Sequence, residues 1–284
     1  MKKTTSKKNE FLRAIKTLSN LLVFFIAGTI LLYKCSFETE DTLKPEVVKD
    51  AQPREGIVYI HGSKHKVGSD WFDRYLRNPK GKLKRTGPTT WLYHKKLYTL
   101  TALGTDFKHH VANSYLIGFS PFLTEKLWVP MQTLASRLKY KTDKNQFKGM
   151  VDVWQTSKQA YYWLRGDCED HAVLLADWLI EMGYDARVVL GKYKKNGHAW
   201  VVLFYGQKTY IIEATNKKNR KTYPLANKLP NYKPTFMFNR DDFWENTGTV
   251  LTTIYDDSKW KKVSRFDQVL PEVSHLKPQT FISL

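Results

Sequence analysis

The stretch Gly166-Asp167-Cys168-Glu169-Asp170-His171-Ala172 opens a segment in which Ala172, Leu175, Ala176, Leu179 and Met182 recur at the spacing of one helix face, and Gly183 closes it. Asp167 stands where a helix N-cap belongs, so Cys168 falls in the first turn. Three strands are predicted next: Ala186 to Tyr193, His198 to Tyr205 and Thr209 to Glu213, with Asn196-Gly197 and Gly206-Gln207 read as the hairpin turns. A two-residue turn at Gly206-Gln207 pairs Tyr205 with Lys208. That register sets Trp200 opposite Glu213 and His198 opposite Thr215. Strand side chains alternate, so His198, Trp200, Val202, Phe204, Ile211 and Glu213 share a face, with His198 and Glu213 diagonal neighbours on it.

A thiol at a helix N-terminus, an imidazole on a strand and a carboxylate beside that imidazole are the parts of a nucleophilic site. The thiolate attacks, the histidine moves the proton, and the acid holds the ring in place. Cys168, His198 and Glu213 are the candidates for these roles. Taken singly, each has an ordinary reading: a small buried apolar cysteine, a half-buried strand histidine, a solvated strand end. The register brings His198 and Glu213 together, which the ordinary readings leave unexplained. Asp167, Glu169 and Asp170 oppose a thiolate by like charge and need a reason of their own.

Gly166-Asp167-Cys168-Glu169-Asp170-His171-Ala172, then Gly197-His198-Ala199-Trp200-Val201 and Ile212-Glu213-Ala214-Thr215, resemble the motifs of the transglutaminase-like superfamily, nearest to the bacterial transglutaminase-like cysteine proteinases. Trp154-Gln155-Thr156 is similar to that family's upstream segment. The resemblance covers about residues 130–216, under a third of the chain. It implies an α+β, papain-like core: a helix carrying the cysteine, packed on an antiparallel sheet. It implies Cys168 as nucleophile and His198 as base, with Glu213 where most relatives carry aspartate. It also implies an oxyanion donor beside the backbone N–H of Cys168, for which Gln155 is the candidate and Trp154 and Gln159 the substitutes. No cofactor is required for thiol chemistry. In relatives that cleave large adhesins, acids flanking the cysteine bind calcium; here Asp167 and Glu169 match two such positions, Asp170 offers a further oxygen, and Gly197 stands where an acid would precede the histidine.

Around this core the chain divides into a basic tail at 1–17, an apolar segment at 18–34, a linker at 35–55, an extension at 56–130 and a catalytic domain at 131–284 with its core motifs in 154–215. The run from Leu21 to Tyr33 carries no charge; six basic residues and one acidic residue precede it in 1–16, and Glu38, Glu40 and Asp41 follow. Length and flanking charge predict an uncleaved membrane anchor through residues 18–34 with its N-terminus in the cytoplasm. With the family resemblance, this places the catalytic domain on the periplasmic side of a bacterial inner membrane. Ile57 to Ile60 reads as a strand, Asn78 to Pro88 as a loop, Trp91 to Leu103 as strand or helix, Met131 to Tyr140 as a helix, and Ser157 to Leu164 as a helix capped by Thr156. His109-His110 reads as surface or loop, and residues 222–284 as irregular or short-strand packing.

The 284 residues are 42% hydrophobic and 14% aromatic, which predicts a packed core rather than disorder. Two cysteines, Cys35 and Cys168, exclude a disulfide scaffold. The net charge of +19 is spread along the chain without a nucleic-acid motif, so no nucleic-acid partner is expected. The expected function is a membrane-anchored cysteine peptidase or amidase acting on a protein or peptide through an acyl-enzyme. The alternatives are an acyltransferase that cross-links proteins on the same fold and a non-catalytic envelope-binding module.

Overall fold

The computed structural model describes residues 51–216, 222–249, 252, 254–255 and 258–269. Its first part runs β1 (Gly56–Ile60), β2 (Lys66–Gly68), α1 (Ser69–Tyr75), β3 (Thr89–Tyr93), β4 (Lys96–Gly104) and β5 (His109–Val111). The helical middle is α2 (Val129–Arg137), β6 (Lys139–Tyr140), α3 (Asp143–Gln146), β7 (Val153–Trp154), α4 (Ser157–Trp163), β8 (Arg165–Gly166) and α5 (Cys168–Glu181). Then follow β9 (Asp185–Tyr193), β10 (Asn196–Tyr205), β11 (Lys208–Ile212), β12 (Tyr232–Phe238), β13 (Asp242–Asn246) and β14 (Trp260–Gln268). Eight strands form one sheet in the order β11-β10-β9-β12-β13-β14-β1-β2, and its paired strands are antiparallel.

The helix with the cysteine is the buried element of the fold. Ala172 through Ala176, Trp178 and Leu179 are fully buried, and they pack against Val188, Ala199, Val201, Leu203 and Ile212 on one sheet face. Burying each large apolar side chain contributes about 1.5–3 kcal/mol. The opposite face carries Val189, Trp200, Val202 and Ile211 into a second cluster with Met237, Trp244, Tyr255 and Trp260. Strand alternation thus sorts the β10 side chains into two layers, with Trp200 and Val202 away from α5.

The helix is also tied down by a buried carboxylate. Asp177 has no exposure; it accepts from Gly118 N at 3.1 Å, Phe119 N at 2.9 Å and Arg240 Nε at 2.6 Å, and from the Ser157 hydroxyl. Arg240 lies between β12 and β13 and also reaches Glu181 at 2.6 Å, so α5 is bolted to the sheet at two points of its last turns.

Several sequence expectations change. Residues 91–103 form a β-hairpin, β3–β4, turning on His94 and Lys95, both at positive φ. The helix predicted to reach Tyr140 stops at Arg137, because Lys139 and Tyr140 pair in parallel with Arg165 and Gly166. The β9–β10 turn is Lys194-Lys195, not Asn196-Gly197: Asn196 pairs with Tyr193, and the Lys194 N–H is held by the Asn231 carbonyl at 2.9 Å. His109 and His110 are buried in β5 instead of at the surface, the first bonded to the Arg85 carbonyl at 2.9 Å and the second to Asp106 at 3.0 Å. Residues 222–269 supply three strands to the main sheet. The predicted anchor at 18–34 and Cys35 lie outside the described residues.

Candidate active site

The local sequence explains how the cysteine reaches the tip of α5. Gly166 has no room for a side chain: a Cβ there lies 2.6 Å from the Asp170 carboxylate. Asp170 turns inward, accepting from the Asp167 N–H at 3.3 Å, the Gln155 N–H at 2.7 Å and Gln155 Nε2 at 2.7 Å. It closes the first turn from the inside, which leaves half-buried Cys168 facing a hollow of about 450 Å³. His198 lines the same hollow, together with Tyr140, Trp154 and Phe236.

On the sheet, the register follows the predicted one from Tyr205↔Lys208 to Val201↔Ile212, where the ladder ends. Glu213 sits just past that end, and its Oε2 is 2.8 Å from His198 Nε2. The carboxylate is fully used: Oε2 also accepts from the Tyr232 hydroxyl at 2.9 Å, and Oε1 from the Thr215 N–H at 3.1 Å and hydroxyl at 2.7 Å. Tyr193, Trp200 and Tyr232 pack around the imidazole. Burial disfavours the imidazolium, but the bonds and charges of Cys168 and Glu213 outweigh burial and push His198 up to about 9. Burial works against the Glu213 carboxylate as well, and the His198 bond, with help from Thr215 and Tyr232, holds it below the usual range.

This makes stability depend on pH in a stated direction. His198 has its folded pKa above the ordinary value of about 6.5, so its contribution is complete below that pH and is lost as pH rises through about 9. Urea melts of the protein and of His198→Asn are expected to show a wild-type advantage at pH 6 that shrinks by pH 9.5. An advantage independent of pH contradicts the pairing.

Cys168 Sγ lies 3.2 Å from Glu169 Oε2 in hydrogen-bonding geometry and also acts on the imidazole as a hydrogen-bond and charge partner. Of the three predicted acids, Asp167 and Glu169 stay together and Asp170 does not join them; its oxygens are spent on Gln155 and Asp167. Asp143, from α3, takes its place, and the three ligand oxygens lie within 4.8 Å of one another. Among the described residues, buried Asp143 Oδ1, Asp167 Oδ1 and Glu169 Oε1 have no hydrogen-bond partner. Burial and the charge of Asp167 push Asp143 up to about 7; burial raises Asp167; and burial, with the charges of Cys168, Asp167 and Asp170, raises Glu169.

Gln155 departs from its expected part. It is fully buried, and its side-chain N–H groups go to Asp170 and to the Arg165 carbonyl at 3.1 Å, so no donor is left for an oxyanion. Gln159 is likewise committed, to the Thr156 cap and to Thr105 at 3.0 Å. Trp154 lines the hollow, and its indole N–H has no partner among the described residues. Sequence reasoning missed Asp143 and Tyr232. Asp143 arrives only through the parallel β6–β8 pairing, and Tyr232 lies 19 residues beyond its partner Glu213 in a different strand.

The family model described as the CEP76 peptidase-like domain matches residues 152–262. Centrosomal protein of 76 kDa from Mus musculus is 34% identical over 135 residues, and the Homo sapiens protein is 32% identical over the same length. Each match covers 41% of this chain and 20% of the relative, so the chain spans about one fifth of the curated relatives. Among solved structures, Legionella pneumophila LapG is similar at 20% identity and a TM-score of 0.37, over 49% of this chain and 77% of that one. Its calcium-bound form gives 20% identity and a TM-score of 0.35, over 46% and 75%. The expected bacterial inner-membrane, periplasmic placement is overturned. The relatives matched are mouse and human centrosomal proteins, and among the described residues no helix is long and apolar enough to cross a membrane.

Proposed function

We propose that the protein is a cysteine hydrolase of the peptidase or amidase type, with Cys168 as nucleophile, His198 as base and Glu213 as the group that orients the imidazole. The observation that carries this reading is the 2.8 Å bond from His198 Nε2 to Glu213 on the wall of the hollow that Cys168 enters from the helix tip. With Nε2 occupied, Nδ1 is the nitrogen left for the thiol proton. The sulfur attacks a peptide carbonyl, His198 passes the proton to the leaving amine, and a thioester remains. Water attacks the thioester, its proton returns through His198, and the acid leaves with the thiol restored. The backbone N–H of Cys168 and the Trp154 indole N–H are the donors for the oxyanion. The match to a peptidase-like family model over 152–262 supports this reading, as does the complete hydrogen bonding of Glu213, which leaves the exchange of aspartate for glutamate no sign of a dead site.

Three orphaned carboxylate oxygens suit a hard cation, and Asp143, Asp167 and Glu169 fit calcium. Bound there, it supplies neutralisation of the charge beside the sulfur and takes no part in bond making. Millimolar calcium is expected to raise the unfolding temperature of the EGTA-treated protein; occupancy at a hundred times Kd contributes about 2.7 kcal/mol. The gain should vanish in Asp143→Asn. Without calcium the three raised carboxylates, whose folded pKa exceeds the unfolded value, are expected to make the protein more stable at pH 5.5 than at pH 8.

The experiment for the function is labelling by a cysteine-directed, peptide-based activity probe, with a glutamine peptide and a labelled amine in parallel. Wild-type labelling that is lost in Cys168→Ala supports the enzyme. Turnover without amine incorporation supports hydrolysis, and amine incorporation moves the reading to acyl transfer. A folded protein that never labels removes the proposal.

A further inference from the structure

The opposite end of the main sheet carries a second concave surface that the chemistry at Cys168 does not use. β1 and β2 lie four or more strands away from β9 and β10 in the sheet order. Beside them two adjoining hollows of about 450 and 470 Å³ share Ile60 and Tyr93 as a common wall and lie side by side as a groove-like surface. The floor of the first hollow is Val67, Trp71, Leu92 and Tyr98. Leu92 is 62% exposed and Trp71 37%, an unusual placement for large apolar side chains beside a buried aromatic cluster. Tyr98 is 5% exposed, and its hydroxyl has no hydrogen-bond partner among the described residues although the residue lines the cavity.

The rim is cationic. Lys66 and Arg74 edge the first hollow, and Lys95, Lys96, Lys261 and Lys262 edge the second. Against them stand Asp70, already paired with Arg74 at 3.0 Å, and Glu245. Lys66, Lys95, Lys96 and Lys261 have no ion-pair partner among the described residues. The β3–β4 turn that delivers Lys95 is built against residue preference. His94 at φ 48° and Lys95 at φ 66° occupy positions where asparagine and glycine are favoured, so strain is accepted to present two basic residues at the mouth.

We infer that this groove binds an extended acidic polypeptide segment whose apolar side chains enter the Trp71–Leu92–Tyr98 hollow while its carboxylates meet the lysine rim. Unpaired lysines around an apolar slot require both features in the ligand, charge for the rim and an anchor for the floor. A peptide fits the pairing of lysine rim and apolar floor better than a stacked base or a sugar ring does, and one face of each of two lining rings is already occupied. His65 stacks on Tyr93 at 4.7 Å, and Tyr75 stacks on Trp71 at 5.0 Å. The floor also offers the aliphatic side chain of Leu92, 62% exposed, and the Tyr98 hydroxyl, which can donate to a peptide carbonyl. The site is independent of the proposed hydrolase and gives it, if that reading holds, a second point of attachment for a protein substrate.

Fluorescence anisotropy of the full chain tests this with a labelled peptide of about twelve residues in which glutamate alternates with leucine or phenylalanine. The comparison probes are a polyglutamate of equal length, the lysine counterpart, and an oligo-dT. The anchored acidic peptide is expected to bind, and to weaken as salt rises. Trp71→Ala and the double change Lys66→Glu, Lys96→Glu should each cost about tenfold or more in affinity. Lys158→Glu, on α4, should leave affinity unchanged, and Cys168→Ala should bind as the wild type does, so that failure of the groove and failure of the triad are read separately. Circular dichroism confirms that the variants fold, and Leu92→Ser, at a largely exposed position, serves if Trp71→Ala does not. The inference is overturned if the anchored peptide does not bind, if polyglutamate or oligo-dT binds as tightly, or if binding survives both rim and floor variants.

Discussion

His198→Ala is expected to slow labelling of Cys168 by about a hundredfold to ten-thousandfold, the range that a positioned proton acceptor contributes. Glu213→Gln should fall short of this. It keeps a side chain that can still bond the imidazole and removes the charge that favours the imidazolium. The order of effects is the informative part: His198→Ala larger than Glu213→Gln, with Tyr232→Phe smallest, since Glu213 retains three other donors. Labelling rates by intact-protein mass spectrometry give all three. An equal, small effect for every variant indicates an exposed thiol that needs none of them.

Arg240→Met is expected to cost about 3–5 kcal/mol of stability, because it removes the bonded counter-charge from a carboxylate with no exposure and leaves only Arg54 to act on it through space. Burial already raises Asp177 above the usual carboxylate range, and the charge of Arg240 is the largest opposing influence, with the Ser157 and Phe119 bonds beside it. The paired change Asp177→Leu with Arg240→Met should recover part of the loss, since an apolar pair avoids the stranded charge at the expense of the Gly118, Phe119 and Ser157 bonds. Thermal melts of the two proteins read the difference, on the order of 10 °C for the single change in a domain of this size. An unchanged melt for Arg240→Met contradicts the clamp between α5 and the β12–β13 connection.

What the sequence disclosed and what it hid divide along the reach of local rules. The i, i+3, i+4 spacing after Cys168 located α5, and the two-residue turn at Gly206-Gln207, both at positive φ, fixed the β10–β11 register that brings His198 to Glu213. Both are short-range properties. The turn at Lys194-Lys195 was not legible, because Asn196-Gly197 has the better local chemistry. The choice is made by Asn231, which bonds Lys194 from outside the hairpin. Gln155 reads in the sequence as an oxyanion donor and Asp170 as a calcium oxygen, yet they bond each other inside the core, a contact between residues 15 apart that no periodicity reveals. Asp143 reaches Asp167 and Glu169 only because β6 pairs with β8, and two-residue strands leave almost no pattern. The extent of the main sheet was hidden for the same reason. β1 is paired with β14 across the whole described chain, from Gly56↔Gln268 to Ile60↔Ser264.

The central claim is that the imidazole of His198, held by Glu213, controls the sulfur of Cys168. Its most direct measurement is the rate at which iodoacetamide alkylates the peptide containing Cys168, followed by mass spectrometry from pH 5 to 10 in the wild type and in His198→Ala. The wild type is expected to react faster than the variant, with a rate that changes as His198 loses its proton through about 9, an inflection that His198→Ala lacks. Two superimposable profiles contradict the claim.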